Sequence, residues 1–202
     1  GVNALAKVYL VDRYYNVVKT HPGAGAALTP SGAYGFYLDP GAVSVTAGLA
    51  NMAFSLRAAA TGHMLTASES GSSNGYLPSI SSTFTVTANN PTQLVVTLPT
   101  ETQVNGKNTG SPGRSGTVFT ATATVTPPCY SARVYAVDAY YNLVSWTQIT
   151  TVTAQTNDLN DTDPPGSFTL TGGSGTITSI CPKTARKPSN DATNPDGIVT
   201  DA

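Results

Sequence analysis

This sequence predicts an all-β protein built from repeated modules, and three observations carry that expectation. The segments Val8–Val18 (VYLVDRYYNVV) and Val134–Val144 (VYAVDAYYNLV) agree at eight of eleven positions and stand 126 residues apart. A fixed internal period on this scale marks a tandem array. Composition points the same way: 31 Thr, 19 Gly and 14 Pro, against only 10% charged residues. Thr and Val favour half-buried pleated surfaces, while Gly and Pro punctuate turns. Third, short alternating runs recur between turn formers, and helical periodicity is almost absent.

Taken in order, the first predicted strands are Val8–Asp12, Gly35–Leu38, Ala42–Thr46, Met52–Leu56, Met64–Ser68 and Thr83–Thr87. Leu94–Leu98, Thr117–Val125, Val134–Asp138, Val144–Thr153, Ser167–Thr171 and Thr176–Ile180 continue the pattern. Pro99–Gly116, dense in turn formers, reads as an exposed connection. The 202 residues hold about 1.6 periods, so the modules are cut out of phase. Pro165–Ile180 echoes Pro40–Leu56 with one residue fewer, whereas His63–Ser70 and Ser82–Ala88 find no partner in Pro182–Ala202. The counterpart of Thr117–Val125 would fall before Gly1. This gives a first module over 1–89 lacking its opening strand, a second over 92–181 lacking its closing strands, and a polar tail over 182–202.

The repeated motif has its own physics. Val8, Val11, Val134 and Val137 are expected in the core. Asp12 and Asp138 end the strand, and with Asn16 and Asn142 they can bond nearby backbone and fix a tight turn. Tyr14, Tyr15, Tyr140 and Tyr141 add aromatic area with a polar tip, suited to packing between modules or to a carbohydrate or protein platform. Cys129 and Cys181, 52 residues apart, read as a disulfide fastening the second module, worth about 3–4 kcal/mol. Two unpaired buried thiols are the alternative; a metal site is disfavoured because neither cysteine has a CxxC or histidine companion.

Composition narrows the partners. A net charge of −1 without a basic cluster argues against nucleic acid. No apolar run of about 18 residues exists to span a bilayer. The start at Gly1, without Met, fits a processed product or an excerpt. Enzymatic patterns are weak. Gly71–Gly75 (GSSNG) matches a G-x-S-x-G elbow as a string, but that elbow needs a following helix and a His–acid pair, and the chain has only His21 and His63. A Lys–Asn crosslink from Lys7 is disfavoured, since its repeat-equivalent is Arg133. No cofactor is expected beyond calcium, for which Asp158, Asn160, Asp161 and Asp163 cluster oxygen ligands in one loop. The tail residues Asn194, Asp196, Gly197 and Asp201 form a broken half of such a loop. Asn160 also opens an N-glycosylation sequon.

The run LVVTLPTET, GKNTGSPG, SGTVFTAT and VYAVDAYYNLV, within Leu94–Val144, resembles the tandem immunoglobulin-like (Big-type) repeats of large bacterial surface and secreted proteins. The likeness covers most of Thr92–Ile180 and, more loosely, Val8–Thr87. It departs at Thr126–Arg133, an insertion carrying Cys129 that interrupts the expected alternating strand. The resemblance implies tandem immunoglobulin-like β-sandwiches outside the cell or on its surface, serving as a structural or adhesive spacer without catalysis. Partners would be copies of itself or neighbouring repeats joined head to tail, with carbohydrate as the second class. An incomplete sandwich invites strand addition; Gly197–Asp201 and Gly1–Lys7 are the candidate donors.

Overall fold

The computed structural model describes residues 3–20, 24–32, 34–71, 74–121, 129–145, 150–155 and 166–183. Every regular element among them is a β-strand, and all strand pairs are antiparallel. The chain divides into two compact units, Gly1–Asn89 with Asn105–Lys107, and Asn90–Val104 with Asn108–Ala202.

The first unit holds β1 (Ala4–Tyr9), β2 (Gly25–Pro30), β3 (Phe36–Leu38), β4 (Val43–Ser44), β5 (Leu49–Leu56), β6 (Ala60–His63), β7 (Leu65–Ser70), β8 (Ser79–Ile80) and β9 (Phe84–Val86). They form sheets of order β1-β5-β3, β4-β2-β7-β8 and β6-β9. Alternation along β5 sends Ala50, Met52, Phe54 and Leu56 into one core with Ala26, Leu28 and Leu65. Phe36 and Phe84 meet Phe54 edge-on, at centroid distances of 5.8 and 6.2 Å.

The second unit holds β10 (Gln93–Thr97), β11 (Glu101–Gln103), β12 (Arg114–Gly116), β13 (Tyr130–Val137), β14 (Thr150–Ala154), β15 (Gly166–Leu170) and β16 (Ser174–Ile180). Its sheets run β10-β13-β16, β11-β12 and β14-β15. Strand β13 is buried on both faces over Val134–Val137, while Ser131 and Arg133 are exposed. Ala132, Val134 and Ala136 join Leu170 and Ile177 on one side. Tyr135 and Val137 join Val95 on the other, flanked by Tyr141 and Leu143. A disulfide joins Cys129 to Cys181, Cα atoms 4.8 Å apart, one step beyond the Tyr130–Ile180 strand pair.

The two units repeat each other in register, well past the eleven residues that betray the repeat in sequence. Val8 stands opposite Ala50, and Val134 opposite Gly175. Ala26 faces Val43, and Val152 faces Phe168. The two-residue turn Thr46–Leu49 recurs as Thr171–Ser174, with both central residues at positive φ in each (Ala47 50°, Gly48 80°; Gly172 61°, Gly173 81°). That geometry matches the twist of paired strands and is the usual choice of tight hairpins. Hence β1, β2, β4 and β5 correspond to β13, β14, β15 and β16. The offset is 126 residues as far as β2 and 125 from β4 onward, so the length change sits in a connection. A one-residue slip inside a strand would have turned its apolar set outward.

Several expectations need correction. Pro99–Gly116 is no plain connection: it folds as the β11–β12 hairpin, closed by Val104 N–H donating to the Gly113 carbonyl at 2.9 Å. Thr126–Arg133 does not interrupt the strand throughout, because Tyr130–Arg133 belong to β13. In Thr117–Val125, residues 117–121 are not in a strand. Val144 and Ser145 lie outside β14. Gly1–Lys7 is not a free donor, since Ala4–Lys7 already pair with β5. Val11 is not buried; it is 40% exposed.

Candidate functional site

The repeated motif folds twice into the same turn. Asp12 closes the loop with its backbone, its N–H donating to the Asn16 carbonyl and its own carbonyl accepting from Tyr15 N–H, both at 3.0 Å. Asp138, Asn142 and Tyr141 repeat both bonds at the same distances. The carboxylate then fills the loop. Asp12 Oδ1 accepts from the backbone N–H groups of Tyr14 (2.8 Å) and Asn16 (2.9 Å), and Oδ2 from the Asn16 side-chain amide (3.1 Å). Asp138 accepts from Tyr140, Asn142 and the Asn142 amide at 2.8–3.1 Å. Tyr15 and Tyr141 both take φ 65°, a conformation that costs a non-glycine residue about 1–2 kcal/mol.

This explains the spacing. An aspartate at the strand end presents one oxygen to the N–H groups two and four residues on, and the asparagine four residues on returns its amide to the other. The Asn16 backbone N–H and side chain hold the Asp12 carboxyl below the usual carboxylate range, partly opposed by desolvation, with Tyr14 N–H adding to the lowering.

The surroundings of the two turns differ. Asp138 and Asn142 are each 2% exposed, and Val137 is fully buried. Strand β10 pairs along β13, with Gln93 opposite Val137 and Val95 opposite Tyr135. The Gln93 side-chain amide donates to the Asp138 carbonyl, and that of Gln103 to the Tyr141 carbonyl, both at 2.9 Å. Gly113, at φ +70°, seats the hairpin on the ring: a Cβ there would come within 2.9 Å of Tyr141 Cδ1 and Val95 Cγ2.

In the first unit the same chemistry is bare. Tyr9, Val11, Tyr15 and Val17, the counterparts of Tyr135, Val137, Tyr141 and Leu143, are 50, 40, 86 and 41% exposed. Tyr14 is exposed too, with the Arg13 guanidinium 4.5 Å from its ring centroid and bonded to its hydroxyl. Among the described residues, no strand lies on the outer edge of β1. The two copies are distinguished by their environments alone; nothing in the motif itself says which copy is covered.

Other candidates resolve more simply. Asp158, Asn160, Asp161 and Asp163, the Asn160 sequon and the tail over 184–202 lie outside the described residues. Among the described residues no group of three or more His, Cys, Asp or Glu could hold a metal, and no helix is long and apolar enough to cross a membrane. In the GSSNG segment Ser73 lies outside the described residues, while the N–H groups of Asn74, Gly75 and Tyr76 donate to the Glu69 carboxylate. His63 is buried, bonds the Ala58 carbonyl through Nε2 at 3.0 Å and packs on Phe84. Lys7 and Asn51 stand opposite each other on β1 and β5, both exposed. A cleft of about 570 Å³ in the second unit is lined by Gln93, Leu94, Ala136, Val152 and Leu170 among others, with no titratable side chain. The chain matches no protein-family model, no curated protein and no solved structure.

Proposed function

We propose that the two units are tandem immunoglobulin-like β-sandwiches, a structural module of an extracellular fibre, filament or long cell-surface protein. On this reading the module has no catalytic role, and its partners are neighbouring repeats or further copies of the chain. The observation that carries it is one turn built twice in register, sealed by β10 and the β11–β12 hairpin in one unit and bare in the other. Repetition of a four-strand framework serves an array, whereas chemistry at a single site gains nothing from it. The Cys129–Cys181 disulfide supports an oxidising compartment. Antibodies against the chain should label intact source cells or their secreted fibres. Labelling that requires permeabilisation would overturn the reading.

The exposed group Tyr9, Tyr14 and Tyr15 beside Arg13 favours a second reading, a carbohydrate- or protein-binding adhesin module. Saturable binding to a glycan array that is lost on Tyr14→Ala would select it.

A further inference from the structure

We infer that the outer edge of β1, with the bare Asp12 turn beside it, is an acceptor for a strand of the β10 type. The inference rests on the array reading and names the chemistry of the neighbour. Leu10 N–H is spent on the Gly48 carbonyl, as Ala136 N–H is on Gly173. Backbone alternation therefore turns the N–H and C=O groups of Lys7, Tyr9 and Val11 to the opposite edge. The matching residues Arg133, Tyr135 and Val137 face β10 in the second unit. What β10 covers there is a small apolar cluster, Val95 with Tyr135, Val137, Tyr141 and Leu143. Four of its five members recur beside β1 as Tyr9, Val11, Tyr15 and Val17, all exposed. Among the described residues the counterpart of Val95 is lacking, and Val95 belongs to the covering strand.

The occupant is thus specified by the chain's own second unit. It is an antiparallel strand with a glutamine placed to donate to the Asp12 carbonyl. Two residues on, an apolar side chain seats between Tyr9 and Tyr15. A hairpin whose turn ends in a side-chain-free position follows, to admit the tyrosine ring. Thr92–Thr97 with the hairpin through Gly116 has all three.

The probe is a synthetic peptide of residues 90–116 titrated into the 202-residue chain, read by amide hydrogen exchange. Before addition, the Tyr9 and Val11 amides should exchange freely; with peptide, both should slow while β5 amides stay unchanged. A Gln93→Ala peptide should bind about tenfold more weakly, the loss of one such bond. Tyr9→Pro, or Lys7→Pro as a second variant, removes one outward N–H without touching a β1–β5 bond and should abolish capture. Because a free peptide must be ordered on binding, the chain extended by residues 90–128 ahead of Asn3 provides the same segment in cis. No protection of Tyr9 in either format overturns the inference. So does protection before any peptide is added, which would give the edge to another copy or to the chain's own tail. Capture that survives Tyr9→Pro overturns it as well. Peptide capture together with saturable glycan binding would keep the acceptor edge and remove the array reading. Surface labelling without capture would remove the edge alone.

Discussion

Asp12 and Asp138 make nearly the same bonds, yet their removal should not weigh the same. Asp138→Ala removes the acceptor of the buried Asn142 N–H and the part-buried Tyr140 N–H and should cost the second unit about 3 kcal/mol. Asp12→Ala leaves its N–H groups to water and should cost far less; denaturant titration of each variant checks the contrast. The Asp12 carboxyl also carries a pH signature. Its folded pKa lies below 3.8, so its contribution is present above that value and fades as pH falls through the lowered one. The Asn16 amide resonance should shift in that acid window and stay constant at neutral pH. The paired tyrosines at φ 65° give opposite signs. Tyr15→Gly relieves backbone strain at an exposed site and should stabilise by about 0.5–1 kcal/mol. Tyr141→Gly relieves the same strain but loses the ring on Gly113 and Val95, and should destabilise by about 2 kcal/mol. Equal or same-sign shifts in thermal unfolding would refute the contrast.

At the scale of elements, the disulfide clamps β13 to β16 where the first unit has Asn3 and Leu56. Closing a 52-residue separation should be worth about 4 kcal/mol in the chain-entropy account. Cys129→Ser with Cys181→Ser should lower the second unit's stability by that order, measured by guanidinium unfolding. Strands rich in β-branched and aromatic residues were legible in the sequence: β5, β7, β10, β15 and β16 fall where the alternation predicts, and β13 does so over its second half, from Val134. Gly25–Pro30 (GAALTP) escaped because alanine and proline carry no β signal, and its strand comes from pairing with β7 and β4. The β11–β12 hairpin was hidden by turn residues on either side of its two short arms. Thr117–Val125 misled in the other direction. It alternates well, but its described residues 117–121 form no strand and Val118 is 93% exposed, since alternation without a neighbouring edge to bond is not enough. The Asp turn was legible as chemistry in both copies. Its burial was not, because that depends on β10, which lies some forty residues before the second copy.

For the whole molecule, each unit has its own buried cluster, so calorimetry should resolve two unfolding transitions. Reductant should move only one of them, the one reported by residues of the second unit. A single transition, or two that both move, would contradict that assignment. The crosslink has a further, mechanical consequence. In a chain drawn out from its two ends, tension arriving at Cys129 crosses the sulfur–sulfur bond and departs from Cys181. Strand β13 still feels the pull on β10, but the pairs among β13 to β16 need not open, and the contour between the two cysteines, about 180 Å if fully drawn out, stays in reserve. The first unit has no such shunt, so its sheets bear whatever load the chain carries. Reduction would convert the stored contour into slack, which makes the maximum reach of this protein a function of redox potential.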